Sequence, residues 1–126
     1  MTTAAYVATA ILGVLIVFQL ALAAGAPWGK AAYGGAWEGT LPRGIRINSL
    51  VFGAFLYPLV ILYVLDAGGV AEFGFLRAES IVLRVLVFFF VTGTITNAIS
   101  RSKIEKMIWT LPTAVLAICT FILASG

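Results

Sequence analysis

Four long apolar runs dominate this sequence, and they decide what it can fold into. They span about residues 4–24, 48–65, 80–99 and 107–124. The first holds about 21 residues, with only Thr9 and Gln19 clearly polar. As a helix it would be about 31 Å long, which matches the hydrocarbon core of a bilayer. All four runs are long enough to cross, the second and fourth being near the short end. In hydrocarbon the backbone must pair its own N–H and C=O groups, which a helix does and an open strand does not. None of the runs alternates with a period of two, which argues against a β-barrel. The sequence therefore predicts an all-α, polytopic membrane protein. Residues 1–126 form a single transmembrane domain, a bundle of four transmembrane helices.

Composition points the same way. Apolar residues make up 62% of the 126 residues and charged residues 10%, where about a quarter charged is usual for a soluble domain. Mean hydropathy is +1.10. Polar groups cannot cover such a surface, so water is not the solvent for most of it. A disordered chain, a disulfide scaffold, a zinc finger and a free nucleic-acid-binding module are excluded. The chain has no His, which removes histidine bases, ligands and pH switches. Its single Cys, Cys119, lies in the apolar run Ala117–Phe121 and reads as a small hydrophobe. No cofactor, metal or enzymatic chemistry is expected.

Ala21-Leu22-Ala23 and Ala24-Gly25-Ala26 look like leader cleavage sites. However, no Lys or Arg precedes the first run, and the run is long for the apolar core of a leader; a retained helix is expected.

Basic residues set the expected orientation. Lys30, Arg43 and Arg46 follow the first run, and Arg101, Lys103 and Lys106 follow the third. With four crossings these two loops share a side. The other side holds both termini and the second loop, with Arg77, Arg84 and the acids Asp66, Glu72 and Glu79. The positive-inside rule puts loops 1 and 3 in the cytoplasm and both termini outside.

Loop 1 contains Gly25-Ala26-Pro27-Trp28-Gly29, Tyr33-Gly34-Gly35-Ala36-Trp37 and Gly39-Thr40-Leu41-Pro42. Gly and Pro at this density indicate a series of defined turns. Trp28, Trp37 and, at the start of the fourth run, Trp109 suit headgroup level and read as interface anchors. The alternative for loop 1 is a folded re-entrant flap that covers a ligand.

The third run carries the most polar stretch. Thr92, Thr96 and Ser100 recur every four residues along one stripe, with Gly93 and Asn97 on the next. Such a seam serves close helix packing and interhelical hydrogen bonds. The sharper alternative is a small polar cavity in which Asn97 orients a ligand or ion. Arg84, one turn into this run, is expected to snorkel and pair with Glu79 or Asp66. Ser102-Lys103-Ile104-Glu105 fits a capping box that opens the fourth helix. Pro58 and Pro112 should disturb the second and fourth helices.

The strings Ala26-Pro27-Trp28-Gly29, Gly34-Gly35, Leu41-Pro42 with Arg43, Arg46 and Ser49, and Asn97–Ser102 with Glu105 and Pro112 form a distinctive set. In these the chain resembles a group of uncharacterised small four-helix bacterial integral membrane proteins. That resemblance implies a prokaryotic cytoplasmic membrane and no particular activity. Small multidrug-resistance transporters use a carboxylate within their first helix, and the first run here has none. The motifs of fluoride channels do not align.

The function expected from these readings is that of a non-enzymatic binding or interaction component. Its partners would be membrane lipids and a second copy of itself or another membrane protein. An oligomeric small transporter or channel, and a lipid-acting membrane enzyme, are the alternatives. Single cysteines introduced at Lys30 and Lys103 should be shielded from an impermeant maleimide added to intact cells. Labelling of both from outside would reverse the orientation.

Overall fold

The computed structural model describes residues 2–71 and 80–125. Four helices account for most of them: α1 (Thr2–Ala24), α2 (Arg43–Ala67), α3 (Ser80–Ala98) and α4 (Lys103–Ser125). All four are long and apolar enough to cross a membrane, and no strand occurs among the described residues. The chain is thus an all-α, multi-pass membrane protein. Two short 3₁₀ turns, Gly29–Ala31 and Tyr33–Gly35, shape loop 1. Glu72, Arg77 and Glu79 lie outside the described residues.

α2 begins earlier than its apolar run because Pro42 stands at its N-cap and Arg43–Asn48 adds a polar first turn and a half. Proline is pre-organised for the start of a helix and has no N–H to leave unpaired. α4 likewise begins at Lys103, directly after Ser102.

α1 is the central helix and packs against α2 and α4, while α3 packs chiefly on α4. Ala4, Ala5 and Ala8 of α1 are buried, and small side chains let neighbouring helices approach closely. Leu12 and Leu15 continue this face and belong to one core with Val60 and Val64 of α2, Leu83 and Phe90 of α3, and Leu116 and Leu123 of α4. The opposite faces are apolar too. Phe88 is 74% exposed and Met107 81% exposed. In water such surfaces would aggregate, but facing lipid tails they match their solvent.

The helix ends are closed from within. Gly25, at φ +105°, turns α1 off. Its N–H reaches Leu22 C=O at 3.1 Å, and the Ala26 N–H reaches Ala21 C=O at 2.9 Å. This is a Schellman motif, which needs a left-handed residue after the last turn. Arg46 Nε donates to Ala23 C=O at 3.1 Å, satisfying a further terminal carbonyl. α2 ends in the same way, with Val70 N–H on Leu65 C=O. At that end Thr2 Oγ1 donates to Gly68 C=O at 3.1 Å. Inside the helices, Thr9, Thr94, Thr113 and Thr120 each donate to the carbonyl four residues back, so their hydroxyls need no other partner.

Pro58 is accommodated by a π turn over Phe52–Leu56, in which Tyr57 N–H reaches back to Phe52 C=O. The wider turn also sets the face. Residues four apart in an α-helix drift by about 40°, and the π turn offsets that drift. Ser49, Gly53 and Tyr57 are consequently all buried on one side. A Cβ on Gly53 would lie 3.1 Å from Gln19 Cβ, so α1 and α2 are close there.

Ser102 opens α4. Its Oγ accepts from Glu105 N–H at 3.3 Å and donates to Lys30 C=O. The Ser102 N–H goes to Ser100 Oγ at 3.1 Å, not to the Glu105 carboxylate as a full capping box would have it. Ser102→Ala removes the cap and orphans the Lys30 carbonyl. Thermal unfolding in mild detergent should show a loss of about 1–3 kcal/mol. A change below about 0.5 kcal/mol would mean that the cap is inactive.

Candidate functional site

Loop 1 folds back over the bundle as a roof. The buried Trp109 indole Nε1 donates to Ala31 C=O at 2.9 Å, and Ser102 holds Lys30. On the α2 side the Tyr33 hydroxyl shares a 2.9 Å hydrogen bond with the buried Ser49 hydroxyl and accepts another of 2.9 Å from Asn48 Nδ2. Tyr33 sits at φ +51°, a left-handed conformation that costs a bulky residue about 1–3 kcal/mol. Its two hydroxyl bonds help hold it there. Gly35, at φ +72°, faces Ser102 so closely that a Cβ would meet the serine Cβ at 2.6 Å. Lys30 Nζ and Glu38 Oε1 pair at 3.0 Å on the exposed side of the roof.

Beneath the roof is a cavity of about 160 Å³ between the four helices. α1 contributes Phe18 and Gln19, α2 contributes Tyr57, and α3 contributes Phe90, Gly93 and Asn97; Glu105 and Trp109 of α4 complete the wall. The Phe18 and Trp109 rings touch, with centroids 4.7 Å apart. Two features set this space apart from packing. The Gln19 Oε1 atom is buried without a hydrogen-bond partner. Glu105, only 6% exposed, brings a carboxylate to the same wall.

The residues singled out from sequence part company here. Gly93 and Asn97 line the cavity. Asn97 is half-buried, and its amide makes no interhelical hydrogen bond among the described residues. Thr92 and Thr96 are exposed on the outer face and donate to their own backbone, at Phe88 and Gly93. Ser100 is buried but serves Ser102. The stripe is therefore divided between an outer face, a cavity wall and a turn. Among the tryptophans, Trp28 is 49% exposed and stacks on Phe18, while Trp37 is half-buried against Tyr33. Trp109 is internal and braces the roof. Arg84 is exposed and makes no ion pair with Asp66.

Gln19, Tyr57 and Glu105 join the site without having been singled out for it. Gln19 was visible as the one amide in the first run. Glu105 had a capping role that explained it already, and Tyr57 depends on the π turn.

The chain matches no protein-family model, no curated protein and no solved structure.

An unpartnered buried acceptor is a net cost to folding. Gln19→Met keeps the length and removes the amide. Its stability in mild detergent should be equal to or higher than that of the parent, by up to about 1–3 kcal/mol. A clear loss would show that Gln19 is a structural partner.

Proposed function

We propose that this protein is a small, non-enzymatic binding component of the prokaryotic cytoplasmic membrane. Its working part is the cavity under loop 1. The observation that carries this reading is the cavity of about 160 Å³ beneath loop 1, walled by Phe18, Tyr57, Phe90 and Trp109 with the polar side chains of Gln19 and Asn97 in its lining. A cavity of about 150 Å³ accommodates a benzene-sized molecule, so the space suits a ligand with one ring or a comparable apolar body. Aromatic walls with a few placed polar groups are the usual make-up of such sites.

In this reading the roof faces the cytoplasm and both termini lie outside. Lys30, Arg43, Arg46, Arg101, Lys103 and Lys106 cluster at the roofed end, where loop 1 meets the α3–α4 turn, and the positive-inside rule supports that placement. Lipid covers the apolar outer faces, which also leave room for a second copy or another membrane protein.

The test uses the emission of Trp109, isolated by Trp28→Phe and Trp37→Phe, with benzyl alcohol as the probe. A saturable change is expected. A Cβ on Gly93 meets nothing within 4 Å, so Gly93→Leu should fold, enter the open space and abolish the change. A response that is linear in both proteins would reflect partition into detergent alone and would remove the binding reading.

A further inference from the structure

We infer that an anionic phospholipid binds in the groove between the end of α1 and the start of α2, with its phosphate on Arg43 and Arg46 and an acyl chain against Leu20, Ile47 and Leu50. This site is separate from the cavity under loop 1 and does not rest on the binding reading above. The groove holds about 460 Å³. Arg43, Ile47 and Leu50 recur at i, i+4 and i+7, so α2 sets one arginine and two apolar side chains along a single face. Leu20 and Ala23 of α1 form the opposite wall. Leu20, Ile47 and Leu50 are all exposed. The groove thus has a charged end and an apolar length, the order in which a lipid carries its head and its chain.

The charged end has donors to spare. At the end of α1 the carbonyls of Ala21, Leu22, Ala23 and Gly25 already accept, from Ala26, Gly25, Arg46 and Thr40. Arg46 uses only its Nε–H there. Its other guanidinium N–H groups and the whole Arg43 guanidinium find no acceptor among the described residues, and the N–H groups of Gly44 and Ile45 in the first turn of α2 find none either. The ion pair at this end joins Lys30 to Glu38 and leaves both arginines without a carboxylate among the described residues. A phosphodiester supplies acceptor oxygens and a negative charge, and a guanidinium meets it at two points. The N-terminus of α2 adds to the attraction. Both arginines stand where the apolar runs of α1 and α2 end, the level of a lipid phosphate. Basic pockets between transmembrane helices are a recurrent form of headgroup site. A zwitterionic lipid would bring a second cation to an end that already carries Arg101, Lys103 and Lys106.

The experiment offers the whole protein, in mild detergent, an equimolar mixture of dioleoyl phosphatidylglycerol and dioleoyl phosphatidylcholine. Native mass spectrometry reads the ratio of the one-lipid adducts. Phosphatidylglycerol should be preferred by about tenfold or more, the scale of two cations close to an anionic lipid. This comparison needs no variant. Arg43→Gln removes a side chain that makes no hydrogen bond among the described residues, so it should fold, and it should lower the preference about fivefold. Lys103→Gln removes an equal charge outside the groove and should leave the preference within about twofold. Equal falls in the two variants would reveal diffuse attraction to the basic end and overturn the site, as would the absence of any preference in the parent. Glycerophosphate in millimolar excess should leave the bound phosphatidylglycerol in place, because it has no chain for the apolar wall. Displacement of the lipid would make the groove a site for free phosphates and overturn the lipid assignment. Each of these results leaves the reading of the cavity untouched.

Discussion

Hydrocarbon offers no hydrogen bonds, so the difficult places in this fold are those where a helix stops or is interrupted. The chain concentrates its polar residues there. Gly25 and Gly69 turn the backbone so that terminal carbonyls are met by following amides. Arg46 brings a guanidinium to the end of α1, and Ser102 supplies the start of α4. At Pro58, where an α-helix loses a bond, the preceding turn widens to a π turn closed by Tyr57 N–H on Phe52 C=O. The same turn places Tyr57 in the cavity wall. A local remedy for proline thereby shapes the site.

Loop 1 extends the argument from backbone to tertiary structure. It carries backbone carbonyls next to an apolar bundle, and side chains at the start of α4 take up two of them, while α2 holds the Tyr33 hydroxyl. Trp109 and Ser102 bind carbonyls of Ala31 and Lys30, and Ser49 and Asn48 hold the Tyr33 ring. No hydrogen bond joins the loop to α3 among the described residues. α3 therefore supplies one wall of the cavity through packing on α4, without being tied to the roof. The strain at Tyr33 is tolerated because these bonds fix the loop from two sides.

Much of the architecture was legible in the chain. Apolar runs of bilayer length locate α1, α3 and α4 to within a few residues, and Ser102 marks the start of α4. The α2 start was missed because its first turns are polar, and polar residues carry no length signal for a membrane span. The site was less legible for a physical reason. Periodicity places Thr92, Thr96 and Ser100 on one stripe, but it does not say which stripe faces inward. In an apolar solvent the usual cue, polar outside and apolar inside, vanishes. Thr can also bond its own helix, so a polar stripe on a membrane helix carries less information than one on a soluble helix. Gly93 and Asn97, the adjacent stripe, border the cavity instead.

The same logic separates residues that hold the fold from residues that do not. Thr120 is fully buried, yet its hydroxyl is satisfied by Leu116 C=O at 2.8 Å, and it weakens nothing. Ser49 is fully buried and satisfied by Tyr33. The Gln19 carbonyl is buried and finds no donor among the described residues. In a small bundle with total stability of about 5–15 kcal/mol, one orphaned acceptor at about 1–3 kcal/mol is a substantial share. A methionine would fill the same volume without that cost, and selection for stability alone would favour it. The cost is concentrated where α1 passes Gly53 of α2, whose Cβ would lie 3.1 Å from Gln19 Cβ, so the close approach of these two helices is what shuts the amide oxygen away from any donor.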